Sequence, residues 1–600
     1  MTWTEDIIPI DTARTLDGLF QERVKRTPHN IAYRYFDQTH KHWLDNSWLE
    51  ISNMKAQWCA ALAREQLSPG DRVAIMMRNC REWLLFEQAA LSLGLVVVPL
   101  YPNDRAVNAA YILDHAGVSL LLLENDRQRN RLVKYLDDNK QLVRILILNR
   151  SIDHSNNEIV SSVSDWLNDE QLETTYVTKP DDLATIVYTS GTTGQPKGVM
   201  LSHHNILWNA NSGVASITIY REDIFLSFLP LSHMLERTVG YYIPMISGAT
   251  VAYTRSIAEM AEDMLVIKPS VIISVPRIWE RIYSRIHATL DEKSLIARLL
   301  MKLTVHIGWH RFQYQQGRTS WSPGLLLWPL LDKLVAVRVR DRLGGRLRFS
   351  ITGGASLSPH VARFFISLGI MLEQGYGLTE TSPVTTVNKL EDNIPDSVGL
   401  LLRDVEVKAG DHNELLFRGP GVMLGYWHND VASKNMIDAD GWLHTGDVGS
   451  IIDGHIYVTG RLKEILVLAN GEKIPPADIE AALIGDALIE QAMVVGEARP
   501  FLSAILVLNK DNWASFASGQ HLDSEADESL QSTVATDAIL NLTGKLLHDF
   551  PGYARINRIA LFLDEWSVEN GLLTPTMKLR RNRILQQYAP TIDKLYEGHT

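Results

Sequence analysis

The sequence has few cysteines and no long uninterrupted run of apolar residues. Only Cys59 and Cys80 occur among 600 residues, so a disulfide framework is excluded and a reducing compartment is expected. The most apolar stretch, residues 84–100, is interrupted by Glu87 and Gln88 and is too short to span a bilayer comfortably. The first residues lack the basic start and apolar run of a signal peptide. These absences predict a soluble, cytoplasmic protein.

An excess of positive charge is also missing. The formal net charge is −12, which argues against nucleic acid as the main partner. Charged residues make up 21% and hydrophobic residues 46% of the chain, which is typical of a globular protein and excludes a disordered one. The length predicts about three to five structural units with large cores.

Helical and strand patterns alternate through residues 1–180. Residues 48–65 and 82–93 have helical spacing, whereas residues 71–77, 94–99 and 143–148 are apolar runs typical of buried strands. Helices between buried strands imply a mostly parallel sheet covered on both faces. We find no candidate catalytic residue in this region.

Glycine and hydroxyl residues are concentrated in residues 188–203, which read Tyr-Thr-Ser-Gly-Thr-Thr-Gly-Gln-Pro-Lys-Gly-Val-Met-Leu-Ser-His. The apolar residues 183–188 predict a buried strand, and residues 198–201 predict a second short strand. Ser202 is placed to cap a following helix. The segment therefore predicts a loop that joins two strands.

The composition of this loop suits a polyphosphate. Its glycines let successive N–H groups point into one concavity, its hydroxyls donate hydrogen bonds, and Lys197 adds a mobile positive charge. In the usual P-loop, glycine precedes the lysine and Ser or Thr follows it, whereas Pro196 and Gly198 flank Lys197 here. An ordinary Gly/Thr-rich turn is the alternative, disfavoured by the unbroken run of polar and turn-forming positions. The candidate phosphate ligands are Thr189, Ser190, Gly191, Thr192, Thr193, Gly194 and Lys197.

The first twelve residues of this segment resemble the phosphate-binding signature of the adenylate-forming (ANL) superfamily. That family includes acyl-CoA synthetases, peptide-synthetase adenylation domains and luciferases. Further matching motifs follow in the family's order as far as residue 581. The resemblance implies an α/β protein with a large N-terminal domain, residues 1–460, built from doubly wound sheets and a β-barrel-like subdomain. It also implies a small mobile α+β lid, residues 461–600.

Two glycine-bearing turns follow predicted strands. Residues 353–356 read Gly-Gly-Ala-Ser, and residues 374–380 read Gln-Gly-Tyr-Gly-Leu-Thr-Glu. Such glycines allow close approach to a flat ligand, and those beside Tyr376 free the backbone to present its ring to a base. A plain strand-to-helix turn and a helix cap are the alternatives. The resemblance assigns nucleotide contacts to Gly354, Ala355, Ser356, Gln374, Gly375, Tyr376, Gly377 and Thr379, and an acyl-pocket position to Gly353.

Two acidic positions complete the predicted nucleotide site. The Glu380 carboxylate and the nearby Thr189 hydroxyl are hard oxygen ligands that suit Mg²⁺ on a triphosphate, and the resemblance implies this role. Asp447 is well suited to accept both ribose hydroxyls through one carboxylate, and we place it on a turn. In the family, Arg461 reaches the ribose or a phosphate. Taken singly, a turn aspartate and a surface arginine are the competing interpretations.

The remaining site residues lie at the acyl pocket and in the predicted lid. A lone histidine such as His233 is more often structural, but the resemblance puts His233 and Met234 at the mouth of the acyl pocket. Residues 574–578, Thr-Pro-Thr-Met-Lys, match the long-chain form of the family's adenylation-lysine motif, so Lys578 is the candidate catalytic lysine together with Lys197. Lys463 lies at the position of the family's hinge.

These motifs imply a two-step, ATP- and Mg²⁺-dependent ligation of a fatty acid to coenzyme A through an acyl-adenylate. Residues 275–280, Val-Pro-Arg-Ile-Trp-Glu, resemble the long-chain branch. The rival enzyme is a fatty acyl-AMP ligase that transfers the adenylate to a carrier protein. A non-catalytic acyl or nucleotide sensor and an aryl or acetyl ligase are further alternatives.

The apolar, tryptophan-bearing residues 321–329 lie among basic residues and allow two interpretations. One is a packed cap over the substrate tunnel, and the other is a peripheral contact with the inner face of the membrane. The oligomeric state stays open, with a homodimer as one alternative.

Overall fold

The computed structural model describes residues 3–136, 141–150, 159–172, 176–189, 195–548, 550–574 and 576–598. Among these residues, no helix is both long enough and apolar enough to cross a bilayer.

One sheet carries the predicted phosphate loop. Most of its neighbouring strands run parallel, and the strands Leu183–Thr189 and Lys197–Ser202 continue the sheet with antiparallel pairing. In spatial order its described strands are Gly425–Tyr426, Lys197–Ser202, Leu183–Thr189, Val96–Pro99, Arg72–Met76, Val118–Asn125, Arg144–Asn149 and Val160–Ser162. The predicted buried strands and their parallel order are therefore confirmed.

A second, larger sheet has a parallel part and an antiparallel part. The parallel part runs from Met371–Gly377 to Ile31–Asp37, and the antiparallel strands beyond Met371–Gly377 correspond to the predicted barrel-like subdomain. In spatial order the described strands are Glu406–Ala409, Glu414–Arg418, Leu443–Ile452, His455–Arg461, Leu400–Leu401, Val384–Val387, Met371–Gly377, Phe349–Thr352, Val271–Ser274, Ile224–Ser227, Thr250–Tyr253, Ile31–Asp37 and His42–Ser47.

Helices cover these sheets. The described α-helices before residue 461 are Ile10–Ala13, Leu16–Arg26, Trp48–Arg64, Arg81–Ser92, Ala106–Ala116, Asp126–Leu136, Val163–Trp166, His203–Ser216, Ile243–Ser247, Met260–Ile267, Pro276–Asp291, Leu295–Gln315, Trp328–Leu331, Val337–Arg342, Pro359–Ser367 and Asp430–Met436. Ser202 caps the helix that follows the phosphate loop and forms a capping box with Asn205, as its position predicted.

The two sheets share an apolar core, which holds their relative positions. Its cluster contains Trp83 from the helix Arg81–Ser92, Val187 from the first sheet and Phe225 from the second. A fully buried ion pair between Glu87 and Arg237 lies within this region. Its partners must stay together, because a single buried charge would be strongly destabilising.

Residues beyond 463 form an α+β unit with its own cores. Its strands are Leu466–Val467, Lys473–Ile474, Ile489–Val495, Leu502–Leu508 and Ile556–Phe562, and its α-helices are Pro476–Leu483, Lys510–Gly519, Asp527–Leu530, Thr533–Leu546, Arg581–Gln587 and Ala589–Leu595. Apolar clusters cover both faces of the sheet Ile489–Val495, Leu502–Leu508 and Ile556–Phe562 and contain no residue before 466. This separate packing matches the predicted small second domain.

Candidate active site

A cavity of about 660 Å³ brings together most of the predicted site residues. Its wall includes ends of strands from both sheets and one loop of the C-terminal unit. The predicted residues that line it are Thr189, Lys197, His233, Gly353, Gly354, Gly375, Tyr376, Gly377, Thr379, Glu380, Arg461, Lys463 and Lys578. These residues are as much as 389 positions apart in the sequence, between Thr189 and Lys578, so only the fold unites them.

The two ends of the phosphate loop meet at this cavity. Thr189 is the last residue of one strand and pairs directly with Lys197, the first residue of the next. Antiparallel pairing therefore fixes the lysine beside the threonine. The predicted ligands Ser190, Gly191, Thr192, Thr193 and Gly194 lie outside the described residues.

Tyr426 connects two predicted catalytic residues and was missed by sequence analysis. Its hydroxyl donates a 2.7 Å hydrogen bond to Oε1 of Glu380, and Nζ of Lys197 lies 4.6 Å from the centre of its ring. Burial and the Glu380 charge raise the pKa of Tyr426, so the phenol stays protonated and donates. The strand Gly425–Tyr426 pairs with Val199 and Met200, which carries the tyrosine to the lysine.

A second tyrosine organises the predicted ribose site. The Tyr376 hydroxyl donates to Oδ2 of Asp447 at 2.5 Å, and Nε of Arg461 donates to Oδ1 at 2.9 Å. Burial and the Asp447 carboxylate raise the pKa of Tyr376 well above its ordinary value. Both carboxylate oxygens therefore have fixed donors, and the carboxylate in turn holds Tyr376 and Arg461, which line the cavity.

The predicted turn at Asp447 is wrong. The residue lies inside the strand Leu443–Ile452 and pairs with Arg461 on the next strand. Gly446 has a φ of +69°, and the pairing register shifts between Val448 and Gly449. A local distortion of a continuous strand thus replaces the turn that the Thr-Gly sequence indicated.

The glycine after Tyr376 is required for a reason other than backbone freedom. A Cβ atom on Gly377 would lie 1.8 Å from the backbone oxygen of Pro383. The Tyr376 segment therefore passes too close to the following loop for any side chain at this position. This close approach, which sequence analysis did not predict, fixes the tyrosine ring at the cavity.

Lys578 reaches the cavity from a tight loop of the C-terminal unit. Its backbone N–H donates to Thr574 Oγ1 at 3.0 Å, and the Thr574 N–H donates to the Lys578 carbonyl at 2.8 Å. Met577 adopts a φ of +63° at the tip of this loop. The surrounding protein and the nearby Arg461 charge lower the pKa of Lys578, although the residue keeps access to the water of the cavity.

His233 faces the same space from the loop after Ile224–Ser227. Burial, together with the Lys578 charge, lowers the pKa of His233 to about 4, so the ring is neutral at pH 7. Its Nδ1 accepts a 3.2 Å hydrogen bond from the Leu235 N–H. Met234, predicted beside it, is buried in the core shared by the two sheets.

Four of the predicted nucleotide residues are not part of the cavity wall. Ala355 and Ser356 are exposed beyond Gly354, and Asp447 is buried behind Tyr376 and Arg461. The Gln374 side chain accepts from the Leu357 N–H and donates to the Pro395 carbonyl. These bonds hold the turn that follows Phe349–Thr352.

The donor set at the cavity fits a magnesium ion bound with phosphates. Glu380 offers a carboxylate and Thr189 a hydroxyl, both hard oxygen ligands. Across the described parts of the chain, no group of three or more His, Cys, Asp or Glu residues could hold a metal alone. A single carboxylate, completed by phosphate oxygens and water, is a usual arrangement for Mg²⁺.

Known protein families match almost the whole chain. Residues 20–427 match the model of the AMP-binding enzymes, and residues 463–600 match that of the AMP-binding enzyme C-terminal domain. A long-chain-fatty-acid–CoA ligase of Mycobacterium bovis, FadD15, is 30% identical over 92% of both chains. The long-chain-fatty-acid–[acyl-carrier-protein] ligase AEE15 of Arabidopsis thaliana is also 30% identical, over 88% of this chain and 79% of its own.

Solved structures share the fold. The adenylation domain of a carboxylate reductase from Mycobacterium chelonae aligns with a TM-score of 0.77 at 22% identity, over 97% of this chain and 91% of its own. The anthranilate CoA ligase AuaEII in complex with anthranoyl-AMP aligns with a TM-score of 0.75 at 17% identity, over 98% and 99%. The chain belongs to the AMP-binding, adenylate-forming enzyme family.

Proposed function

We propose that this protein ligates a long-chain fatty acid to coenzyme A through an acyl-adenylate, with release of AMP and pyrophosphate. The observation that carries the proposal is the shared cavity, where Lys578 of the C-terminal unit lies with Lys197 and Glu380 of the N-terminal domain. Relatives of similar length that are about 30% identical are named long-chain-fatty-acid–CoA ligases, which supports the acyl and thiol substrates.

Part of the cavity wall is apolar, which supports the proposal that the substrate carries an acyl chain. Gly213, Ile217, Leu235, Val239 and Ile243 line the wall together with His233. An alkyl chain on these residues would be removed from water, which is worth about 0.8 kcal/mol per buried CH₂. The His233 ring is neutral, so it places no charge beside these apolar side chains.

The first chemical step needs no general base from the protein. A fatty carboxylate is ionised at neutral pH and attacks the α-phosphorus of ATP directly, with pyrophosphate as the leaving group. Repulsion between these anions is the obstacle, so catalysis depends on charge and alignment. We assign Lys578 to the charge shared by the carboxylate and the α-phosphate, and Lys197 to the departing pyrophosphate.

The residues around these lysines would bind the nucleotide and the metal ion. Asp447 and Arg461 would bind the ribose, and Tyr376 and the glycines at 354, 375 and 377 would contact the base. Glu380 and Thr189 would hold Mg²⁺, which supplies positive charge on the phosphates when it is bound. Tyr426 holds the Glu380 carboxylate in place by its hydrogen bond.

The second step requires a thiol at the same adenylate. We propose that residues 461–600 act as a lid that turns about Lys463, withdraws Lys578 and admits coenzyme A. Lys463 lies next to the end of the strand His455–Arg461 and lines the cavity, which suits a hinge at the edge of the site.

We also propose a cytoplasmic location, in keeping with two free cysteines.

Pyrophosphate release tests the proposal. Purified protein with ATP, Mg²⁺ and palmitate should show sustained turnover only when coenzyme A is present, and Lys578→Ala should abolish it. Lys594→Ala, a change of an exposed lysine in the same unit, is the matched control.

Val239→Phe should reduce turnover of palmitate much more than that of hexanoate, because the larger side chain fills space beside the apolar wall. Absence of turnover with every acid would contradict the proposal.

The second candidate is a ligase that uses an acyl carrier protein as the thiol. One relative with 30% identity is named for that reaction. If acyl-adenylate accumulates with coenzyme A but is consumed by a carrier protein with its phosphopantetheine arm, this alternative is correct.

A further inference from the structure

Two adjacent helical segments expose an unusual number of large apolar side chains. We call this set the leucine surface, and its side chains are between 39% and 72% exposed. Its members are Leu295, Ile296, Leu299, Leu303, Trp321, Leu326, Leu327, Leu330 and Leu334. Single exposed apolar residues are ordinary, but a cluster of this size indicates an interaction site.

The first segment is the helix Leu295–Gln315, which has one buried apolar face and one exposed apolar face. Its buried side includes Met301, Gly308 and Phe312, whereas Leu299 and Leu303 lie on the opposite side. At 100° per residue, positions 295, 296, 299 and 303 fall within one outward stripe. This stripe packs against no other part of the described chain closely enough to be buried.

The second segment is a continuous run of helical turns, residues 323–336, and it repeats the same spacing. Leu326, Leu327, Leu330 and Leu334 follow the i, i+1, i+4, i+8 pattern of the first stripe, and Leu331 and Ala336 are buried. Exposure of this segment contradicts the packed cap that was one interpretation of residues 321–329. None of residues 321–329, all of which the structure describes, lines the cavity.

The two segments lie side by side. A Cβ atom on Gly308 would lie 2.9 Å from the Trp328 ring, and the Arg311 guanidinium stacks on that ring at 5.0 Å. Met301 and Ala336 belong to one buried cluster. Because both segments bury their inner faces in the same cluster, their outer stripes border one side of the domain.

The charge around the leucine surface is opposite to that of the whole protein. Residues 295–346 contain nine Lys or Arg and two Asp or Glu, in a chain whose net charge is −12. Lys302 and Lys333 occupy the i+7 position of their respective stripes and are exposed. Neither they nor the exposed Arg338 form an ion pair with any described residue. Their charge is therefore free to act on a partner.

We propose that the leucine surface docks this protein on an anionic lipid membrane. Leucine and tryptophan side chains enter the boundary between headgroups and acyl chains, while lysines at the edge meet lipid phosphates. A second copy of the chain fits less well, because it would place the same excess of positive charge against itself. The inference stands on exposure and charge and does not depend on the proposed acyl substrate.

Vesicle flotation of the full chain tests the proposal. The protein should float with vesicles of phosphatidylcholine and phosphatidylglycerol and much less with phosphatidylcholine alone, and added salt should reduce binding. Leu299→Asp with Leu330→Asp should weaken the partition by about a hundredfold, from about tenfold for each leucine. Val177→Asp with Val534→Asp, two exposed valines elsewhere, should leave binding unchanged.

A pair of lysine substitutions separates the electrostatic contribution to binding from the apolar one. Lys302→Gln with Lys333→Gln should weaken binding to the anionic vesicles about twenty-fivefold, from about fivefold for each lysine, with little effect on neutral vesicles. Lys25→Gln with Lys594→Gln is the matched control. Unchanged melting temperature and unchanged adenylation of a water-soluble acid would show that the variants are folded.

Three results would overturn the proposal. The first is failure of the wild-type protein to bind anionic vesicles at low salt, and the second is binding of the leucine variants as strong as that of the valine controls. Self-association of the wild-type protein that the leucine variants abolish, without vesicle binding, would instead assign the surface to a second copy. Loss of ligase activity with intact vesicle binding would contradict only the proposed function.

Discussion

Tyr426 offers the sharpest test of the candidate site, because two interactions meet on one side chain. Its hydroxyl donates to Glu380 and its ring lies under the Lys197 ammonium. Tyr426→Phe removes the hydrogen bond and keeps the ring. Tyr426→Leu removes both interactions and keeps an apolar side chain.

The expected losses follow from these contacts. A hydrogen bond to a charged group contributes about 1.5–3 kcal/mol, so Tyr426→Phe should lower the rate of adenylate formation at least about tenfold. A cation–π contact contributes about 0.5–1 kcal/mol at an exposed site, so Tyr426→Leu should lose roughly a further two- to fivefold. The first variant should also raise the Mg²⁺ concentration needed for half-maximal rate, because Glu380 loses its fixed orientation.

Exchange of labelled pyrophosphate into ATP measures this half-reaction directly. Tyr596→Phe is the matched control, since it removes a hydroxyl that bonds the Val495 and Phe501 carbonyls far along the C-terminal unit. In a double-mutant cycle, Tyr426→Phe and Glu380→Gln should be strongly non-additive. A Tyr426→Phe rate within twofold of wild type, or additive losses, would refute the assigned role.

Four further predictions concern the site and the stability of the fold. Asp447→Asn should raise the KM for ATP about tenfold, because Arg461 loses a charged partner at the ribose position. The adenylation rate should fall at alkaline pH below the ordinary lysine range, since the pKa of Lys578 is lowered, and Lys578→Arg should move this fall upward. Burial lowers the pKa of His203 from 6.5 to about 4. The free energy of unfolding is therefore at its full value above pH 6.5, where the ring is neutral in both states, and decreases as pH falls toward 4. The loss is about 3 kcal/mol of unfolding free energy, and His203→Asn should flatten that part of the pH profile in denaturant titrations. Met577→Gly should raise the free energy of unfolding by about 1 kcal/mol in the same assay, because it relieves a left-handed φ.

Sequence patterns predicted the local elements well wherever neighbours in the chain set the conformation. The buried strand before the phosphate loop, the short strand after it and the cap at Ser202 all agree with the structure. Each depends on residues within one turn or one strand. The turn predicted at Asp447 was wrong for the converse reason, since pairing with the strand His455–Arg461 overrides the local turn signal.

The sequence by itself determined the family, the α/β class and the identity of the charged residues, because these depend on motifs and periodicity within short segments. The tertiary structure alone decided that Lys578 and Lys197 share a cavity, that Tyr426 joins Lys197 to Glu380, and that Leu326, Leu327, Leu330 and Leu334 face solvent. Motif spacing carries no information on such contacts. They arise from packing between segments that are hundreds of residues apart, where close approach and burial are set by the whole core.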